Sequence, residues 1–280
     1  MIGCELWLLC LIYVKNSGKK RLNTEKKKFV IFADLDGTLL NENYQFSEVE
    51  AIIHSLVSLN ASIVFASSKT KTEILYYRRK LKIKDPFIVE NGSAIFIPDN
   101  YFQTNYEFSR HTIGYNIIEL GVSYEVIREK LTSVKHQTHS EIMGFGDMTI
   151  DELAKDAGLP LYLAKLAKNR QYSEPFKILS GDEPHVLQAI KNQGLCYTRG
   201  GRYFHVLGCI DKGEAATKLK DIYLRQYRKI YSIGVGNSEN DLPMLRSVDA
   251  PFFINDINEI SPVWNNIKST VESIRKARPD

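Results

Sequence analysis

The sequence predicts an α/β protein: a doubly wound, parallel, Rossmann-like sheet carrying an inserted α+β segment. Three observations predict it. Short apolar runs alternate with helical patterns towards both ends of the chain. The middle departs from that order, mixing strands and helices around a tight hairpin. Three of the apolar runs stop abruptly at polar residues, Asp34, Ser67 and Asn237. Alternation of strand and helix is the pattern of a parallel sheet covered on both faces, and such sheets bind ligands at the carboxyl ends of their strands.

The elements follow in order. Phe29–Ala33 is an unbroken apolar run, as expected of a strand buried on both faces. A helix is expected from Ser47, where Glu50 three residues on makes a capping box and Val49, Ile52, Ile53, Leu56 and Leu59 share one face. Ser62–Ala66 reads as the second strand, and Thr70 with Glu73 as a second capping box opening a helix to about Leu81. Phe87–Val89 is a short strand ending at Glu90-Asn91-Gly92, with Ala94–Ile97 as its return strand, closed by Pro98. The middle reads as a strand (Tyr115–Leu120), a helix (Tyr124–Val134) and two short helices (Thr149–Ala157 and Leu161–Asn169). A strand (Phe176–Leu179), a helix (Asp182–Asn192) and a hairpin (Leu195–Thr198 with Arg202–Leu207, across Gly200-Gly201) complete it. The alternation resumes with a helix from Lys212 to about Arg228, the strand Ile230–Gly234, a helix (Leu242–Ser247) and the strand Pro251–Ile254. The organisation expected is an N-terminal extension (1–28), a core built from 29–109 and 209–280, and an insert (110–208).

Charge and cysteine content exclude some classes of function. The formal charge of the 280 residues is +4, but residues 1–28 hold seven Lys/Arg against two Glu, a balance of +5 that leaves the remainder at −1. The basic character therefore belongs to the extension, and the body offers no footprint for nucleic acid. Ile2–Val14 is apolar apart from Glu5, yet short for a bilayer span and without the flanks of a signal peptide. Residues 1–28 are expected to be a disordered extension, with a weak membrane-surface anchor as the alternative. The four cysteines (Cys4, Cys10, Cys196, Cys209) show no C-x-x-C spacing and no disulfide framework, so a reducing, cytoplasmic setting is the simpler expectation. The oligomeric state cannot be read from the chain.

The chemistry is concentrated in Asp34-Leu-Asp36-Gly37-Thr38. Two carboxylates at the mouth of a buried strand repel each other unless something positive lies between them. A hard divalent cation such as Mg²⁺ suits oxygen ligands and is readily shared with a phosphate. Gly37 lets the backbone turn closely around an anion, and Thr38 offers a hydroxyl. The pattern points to phosphoryl transfer onto an aspartate. Taken singly, Ser67 reads as a helix cap and Lys212 as a solvated lysine, although a cation at a helix N-terminus is unfavourable without a facing anion.

Four stations together resemble the haloacid dehalogenase superfamily of phosphohydrolases: Asp34-Leu-Asp36-Gly-Thr38, Ser67, Lys212-Gly213, and Gly236-Asn237-Ser-Glu-Asn240-Asp241. More narrowly, the chain resembles the mannosyl-3-phosphoglycerate phosphatase family. Ser67-Ser-Lys-Thr70, Pro86-Phe-Ile-Val-Glu-Asn-Gly92, Gly144-Phe-Gly-Asp-Met148, Glu174-Pro-Phe176 and Arg202-Tyr-Phe-His-Val-Leu207 carry that resemblance. It implies a hydrolase core with a substrate-specificity cap and a Mg²⁺-dependent reaction on a small phosphorylated sugar-glycerate. It also implies roles. Asp34 is the nucleophile, Asp36 the general acid and base, and Lys212 a fixed positive charge. Thr38, Ser67, Lys69 and Lys212 serve the phosphate, and Asp34, Asp36 through its backbone carbonyl, Asn237 and Asp241, directly or through water, the metal. From the insert, Asp147, Glu174, Arg202 and His205 are the expected substrate contacts. Arg202 and His205 lie three apart on an expected strand, which would turn them to opposite faces. Asn237 stands where the superfamily usually has aspartate, so metal affinity should be lowered. Glucosyl-3-phosphoglycerate or another sugar phosphate, and a phosphate-metabolite binding module, remain the other readings.

Overall fold

The structure is a computed structural model, and it describes residues 27–277. The expected extension, with Cys4 and Cys10, lies outside the described residues except for Lys27 and Lys28, and Lys28 opens the first strand. The chain runs β1 (Lys28–Ala33), α1 (Glu50–Ser58), β2 (Ser62–Ala66), α2 (Lys71–Lys80), β3 (Phe87–Val89), β4 (Ala94–Pro98), β5 (Arg110–Thr112) and β6 (Tyr115–Glu119). Next come α3 (Tyr124–Thr138), β7 (Glu141–Gly144), α4 (Ile150–Ala157), α5 (Leu161–Ala167), β8 (Ser173–Ser180), α6 (Glu183–Asn192), β9 (Cys196–Gly200) and β10 (Tyr203–Leu207). It closes with α7 (Lys212–Tyr227), β11 (Ile230–Gly236), α8 (Leu242–Arg246), β12 (Ala250–Phe253) and α9 (Ile260–Lys276).

Among the described residues, eight strands form the large sheet in the order β12-β11-β1-β2-β3-β4-β6-β5. The first five run parallel and the last three add antiparallel. β1 lies inside the sheet, and its unbroken apolar run follows from burial on both faces. Phe29, Ile31 and Ala33 enter a core with α1, α2 and α9. Val30 and Phe32 enter a second core with α7 and α8.

The smaller sheet, β7-β8-β10-β9, is antiparallel. One face, carrying Phe176, Phe204 and Val206, is covered by α3 and α6. Strand alternation turns Tyr203 and His205 to the other face, which looks down on the large sheet.

The structure corrects several expectations. Ser47 caps nothing: Val49 N–H and Glu50 N–H both donate to the Phe46 carbonyl, so the helix starts at Glu50 with Val49 in the cap position. Residues 110–119, expected in the insert, are the edge of the large sheet, because Ile117 and Ile118 alternate into its two cores. α9 was not anticipated; it buries Trp264, whose indole donates to the Thr38 carbonyl at 2.8 Å.

Cys196 and Cys209 form a disulfide, contrary to the expectation of free thiols. β9 and β10 pair with Cys196 opposite Leu207, so a residue two past Leu207 falls beside Cys196. No spacing rule carries that proximity.

Because Trp264 is fully buried and pins the turn behind the sheet's edge, Trp264→Ala should cost about 3–5 kcal/mol of stability. Urea unfolding of the variant against wild type measures it.

Candidate active site

Parallel register sets the site. Ala33 pairs with Phe65 on one side and Val235 on the other, so the chain leaves β1, β2 and β11 along one edge. Asp34, Ser67 and Asn237 follow directly. α7 starts at that edge, capped by Asp211, which accepts from Gly213 N–H at 2.8 Å and Glu214 N–H at 2.9 Å. Its first residue, Lys212, is 1% exposed and donates to Asp34 Oδ1 at 2.7 Å and Asp241 Oδ1 at 2.6 Å. The facing anions that a lysine needs at a helix N-terminus are thus both present. Burial would lower the Lys212 pKa, but Asp241 and Asp34 override it and hold the ammonium charged. Asp34 is pushed up to about 7, chiefly by burial; Lys212 pulls it back, while Asp241 and Asp36 raise it further.

Asp241 is fully committed. Besides Lys212, its other oxygen accepts from Asn237 N–H, Ser238 N–H and the Ser238 hydroxyl at 3.0, 3.0 and 2.9 Å. Asp241, expected at the metal directly or through water, here holds Lys212 and the turn that carries Asn237. Asp36 pairs through Oδ2 with Lys69 at 2.9 Å, and its buried Oδ1 has no hydrogen-bond partner among the described residues. Lys69, expected against phosphate, is clamped between Asp36 and Glu73, the latter at 3.6 Å. Glu73 also closes the capping box with Thr70 that the sequence predicts.

Thr38 and Ser67, the expected phosphate donors, are both completely buried. The Thr38 hydroxyl donates to Asn237 Oδ1 at 3.4 Å, and Ser67 Oγ accepts from Lys69 N–H at 3.4 Å. Gly37 (φ +68°) lies against Asn237, whose amide nitrogen would stand 2.1 Å from any Cβ there. Among the described residues, no group of three His, Cys, Asp or Glu side chains is placed to hold a metal. The oxygens available at the edge are those of Asp34, Asp36 and the Asn237 amide. An all-oxygen set with an unpartnered Asp36 oxygen fits a hard cation that keeps several ligands from water and substrate.

Above this edge is a cavity of about 630 Å³, lined from below by Asp34, Asp36, Lys69, Asn237 and Asn240 and from above by Phe145, Arg170, Arg202, Tyr203 and His205. Both expected basic side chains reach it. Arg202 sits in the turn before β10, so strand alternation does not separate it from His205. His205 is pushed down to about 3 by burial, with Arg170 and Lys212 adding to the shift, and it is a neutral ring in the roof.

Asp147 and Glu174 do not line the cavity. Buried Glu174 accepts from Arg128 at 2.8 Å, the Tyr124 hydroxyl at 2.8 Å and Gly146 N–H at 2.7 Å; Asp147 pairs with Arg128 and Lys135. Both carboxylates brace the loop that presents Phe145.

Sequence reasoning missed the residue that seats this roof. Glu90, fully buried with φ +48°, accepts from Gln171 N–H (2.9 Å), Tyr172 N–H (3.1 Å) and the Ser173 hydroxyl (2.8 Å), and faces Arg170 at 3.3 Å. Arg170 in turn donates to the Ser68 carbonyl at 2.9 Å, and Thr70 and Thr72 both donate to the Leu166 carbonyl at 3.0 Å. Only the Glu90-Asn91-Gly92 turn after a strand could have signalled it. Asn240, another cavity residue not anticipated in the site, donates to Asn91 at 3.1 Å.

Comparison with known proteins agrees with this geometry. Residues 31–260 match the haloacid dehalogenase-like hydrolase family. The chain is 41% identical over 231 residues to the glucosyl-3-phosphoglycerate/mannosyl-3-phosphoglycerate phosphatase of Methanococcoides burtonii, covering 81% of this chain and 85% of that one. It is 40% identical over 250 residues to the mannosyl-3-phosphoglycerate phosphatase of Pyrococcus furiosus, covering 88% and 98%. The fold is also that of a haloacid dehalogenase-like hydrolase from Bacteroides thetaiotaomicron, with a TM-score of 0.58, 16% identity and coverage of 89% and 100%.

Because His205 titrates near 3 when folded and near 6.5 when unfolded, the unfolded chain binds more protons between those values. Stability from this group is complete above pH 6.5 and falls as pH drops towards 3. Between pH 7 and pH 5, wild type should lose about 2 kcal/mol more than His205→Gln, as measured by urea unfolding of both at each pH.

Proposed function

The chain belongs to the haloacid dehalogenase-like hydrolases, and we propose that it is a Mg²⁺-dependent phosphatase releasing phosphate from 2-O-mannosyl-3-phosphoglycerate to leave mannosylglycerate. The observation that carries the reading is Asp34 held by Lys212 at the floor of a cavity whose roof supplies Arg170 and Arg202. A substrate with a phosphate, a carboxylate and a hexose needs an anion-handling floor and guanidinium groups above it. Glucosyl-3-phosphoglycerate is kept as a second substrate, since the Methanococcoides relative is named for both.

In the first step an Asp34 oxygen forms a bond to phosphorus while the bond to the substrate's C3 oxygen breaks, and Asp36 gives that oxygen its proton. In the second step Asp36 takes a proton from water as the water oxygen bonds to phosphorus, and the Asp34–phosphorus bond breaks to release inorganic phosphate. Lys212 keeps Asp34 oriented and ionised for the attack, and holds the same carboxyl group in place while water displaces it from phosphorus. Asp34, the Asp36 backbone carbonyl and Asn237 would hold Mg²⁺, which when bound neutralises charge on the phosphoryl oxygens. Thr38 acts by fixing Asn237, and Lys69 by fixing Asp36. The seated roof excludes water from the ester while the substrate is in place.

Among the described residues no helix is long and apolar enough to cross a membrane. The Cys196–Cys209 bond removes the cysteine argument for a reducing compartment. What supports a cytoplasmic setting is the proposed substrate, whose charges prevent unaided passage through lipid.

Phosphate release from a panel of phosphosugars tests the reading: mannosyl- and glucosyl-3-phosphoglycerate should exceed simple hexose phosphates, and no release from either with tight binding would favour a binding module. Asp34→Asn should reduce turnover at least about 10³-fold while retaining a cooperative melt. Asn237→Asp should lower the Mg²⁺ concentration giving half-maximal rate, read from a metal titration of both proteins.

A further inference from the structure

Tyr44 is an aromatic residue in a conformation that disfavours it. Its φ is +58°, in the left-handed region that bulky side chains rarely occupy. The turn around it does not require a ring. Asn41 Oδ1 accepts from Asn43 N–H and Gln45 N–H at 3.0 Å each, Asn41 N–H donates to the Gln45 carbonyl, and Tyr44 N–H donates to the Asn41 carbonyl at 2.9 Å. Glycine would make the same backbone bonds without strain. A disfavoured backbone held this firmly points to use of the side chain.

The ring lines the cavity and is half-buried. It covers the Lys69 ammonium at 5.4 Å, so one face closes over the Lys69–Asp36 pair. Across the cavity stand Tyr203 and Phe145, packed edge to face at 4.9 Å, with Arg202 close enough to act on the Tyr44 hydroxyl. Aromatic faces beside a guanidinium suit a hexose: its C–H face packs on a ring while its hydroxyls take the polar groups.

We propose that Tyr44 is a specificity residue that packs against the glycosyl ring of the substrate with the face turned away from the Lys69–Asp36 pair. This rests on the reading of the protein as a glycosyl-3-phosphoglycerate phosphatase.

The test compares wild type, Tyr44→Gly and Tyr44→Phe in the full chain. Two quantities are read: KM for mannosyl-3-phosphoglycerate, and the competitive inhibition constant of 3-phosphoglycerate, which lacks the hexose. Tyr44→Gly should raise KM at least tenfold and the inhibition constant less than threefold, with a melting temperature no lower than wild type; Tyr44→Phe should stay within threefold on both. Unchanged KM, or an equal rise in both quantities, overturns the proposal and leaves the phosphatase reading standing. A wild type that hydrolyses neither glycosyl-3-phosphoglycerate overturns both.

Discussion

Lys212 is the interaction on which the site depends. A lysine 1% exposed, between the carboxylates of Asp34 and Asp241, joins the end of the first strand to the start of α7 and to the turn after β11. Each charge in that triad would be strongly unfavourable if buried alone; removing one partner of a buried pair costs about 3–5 kcal/mol. The two carboxylates outnumber the ammonium, and burial pushes Asp34 up to about 7. The arrangement therefore favours a further cation beside Asp34. The Asp36 oxygen without a partner and the Asn237 amide face the same deficit. Structure and chemistry meet here: the charge that makes the strand end costly is the charge that the proposed reaction uses on Asp34.

The roof is seated by a second buried charge. Glu90 gathers three donors from residues 171–173 and faces Arg170, which reaches back to Ser68 beside the floor. The loop that follows β3 thus ties the position of Arg170 and the adjoining β8 to the position of the floor. A cap held through its backbone donors is fixed in register as well as in distance, so the cavity has a defined height above Asp34. Asp147 and Glu174 do comparable work within the roof itself, bracing the loop at Phe145.

Much of this was legible in the sequence, and the reasons are physical. The carboxylates at 34 and 36 interrupt an apolar strand, and the Thr70–Glu73 box has fixed local spacing, so both signals lie within a few residues. Parallel alternation placed Asp34, Ser67 and Asn237 on one edge before any coordinates. What escaped were relations between distant segments. Nothing near Glu90 names residues 171–173 as its partners, and the Cys196–Cys209 bond depends on hairpin register. Residues 110–119 look like the start of the insert because β5 is short and polar and β6 only partly apolar; the large sheet supplies the burial that Ile117 and Ile118 require. Asp147 and Glu174 read as substrate contacts because they sit inside the stretches that carry the family resemblance, but Arg128 and Lys135 claim them.

The central claim is that a carboxyl oxygen of Asp34 becomes esterified during turnover. Mixing the protein with Mg²⁺ and mannosyl-3-phosphoglycerate carrying labelled phosphate, quenching in acid within the first turnover and mapping the labelled peptide tests it most directly. The account predicts an acid-stable, base-labile label on the peptide containing Asp34. Rapid phosphate release with no protein-bound label, or a label on another residue, would contradict it.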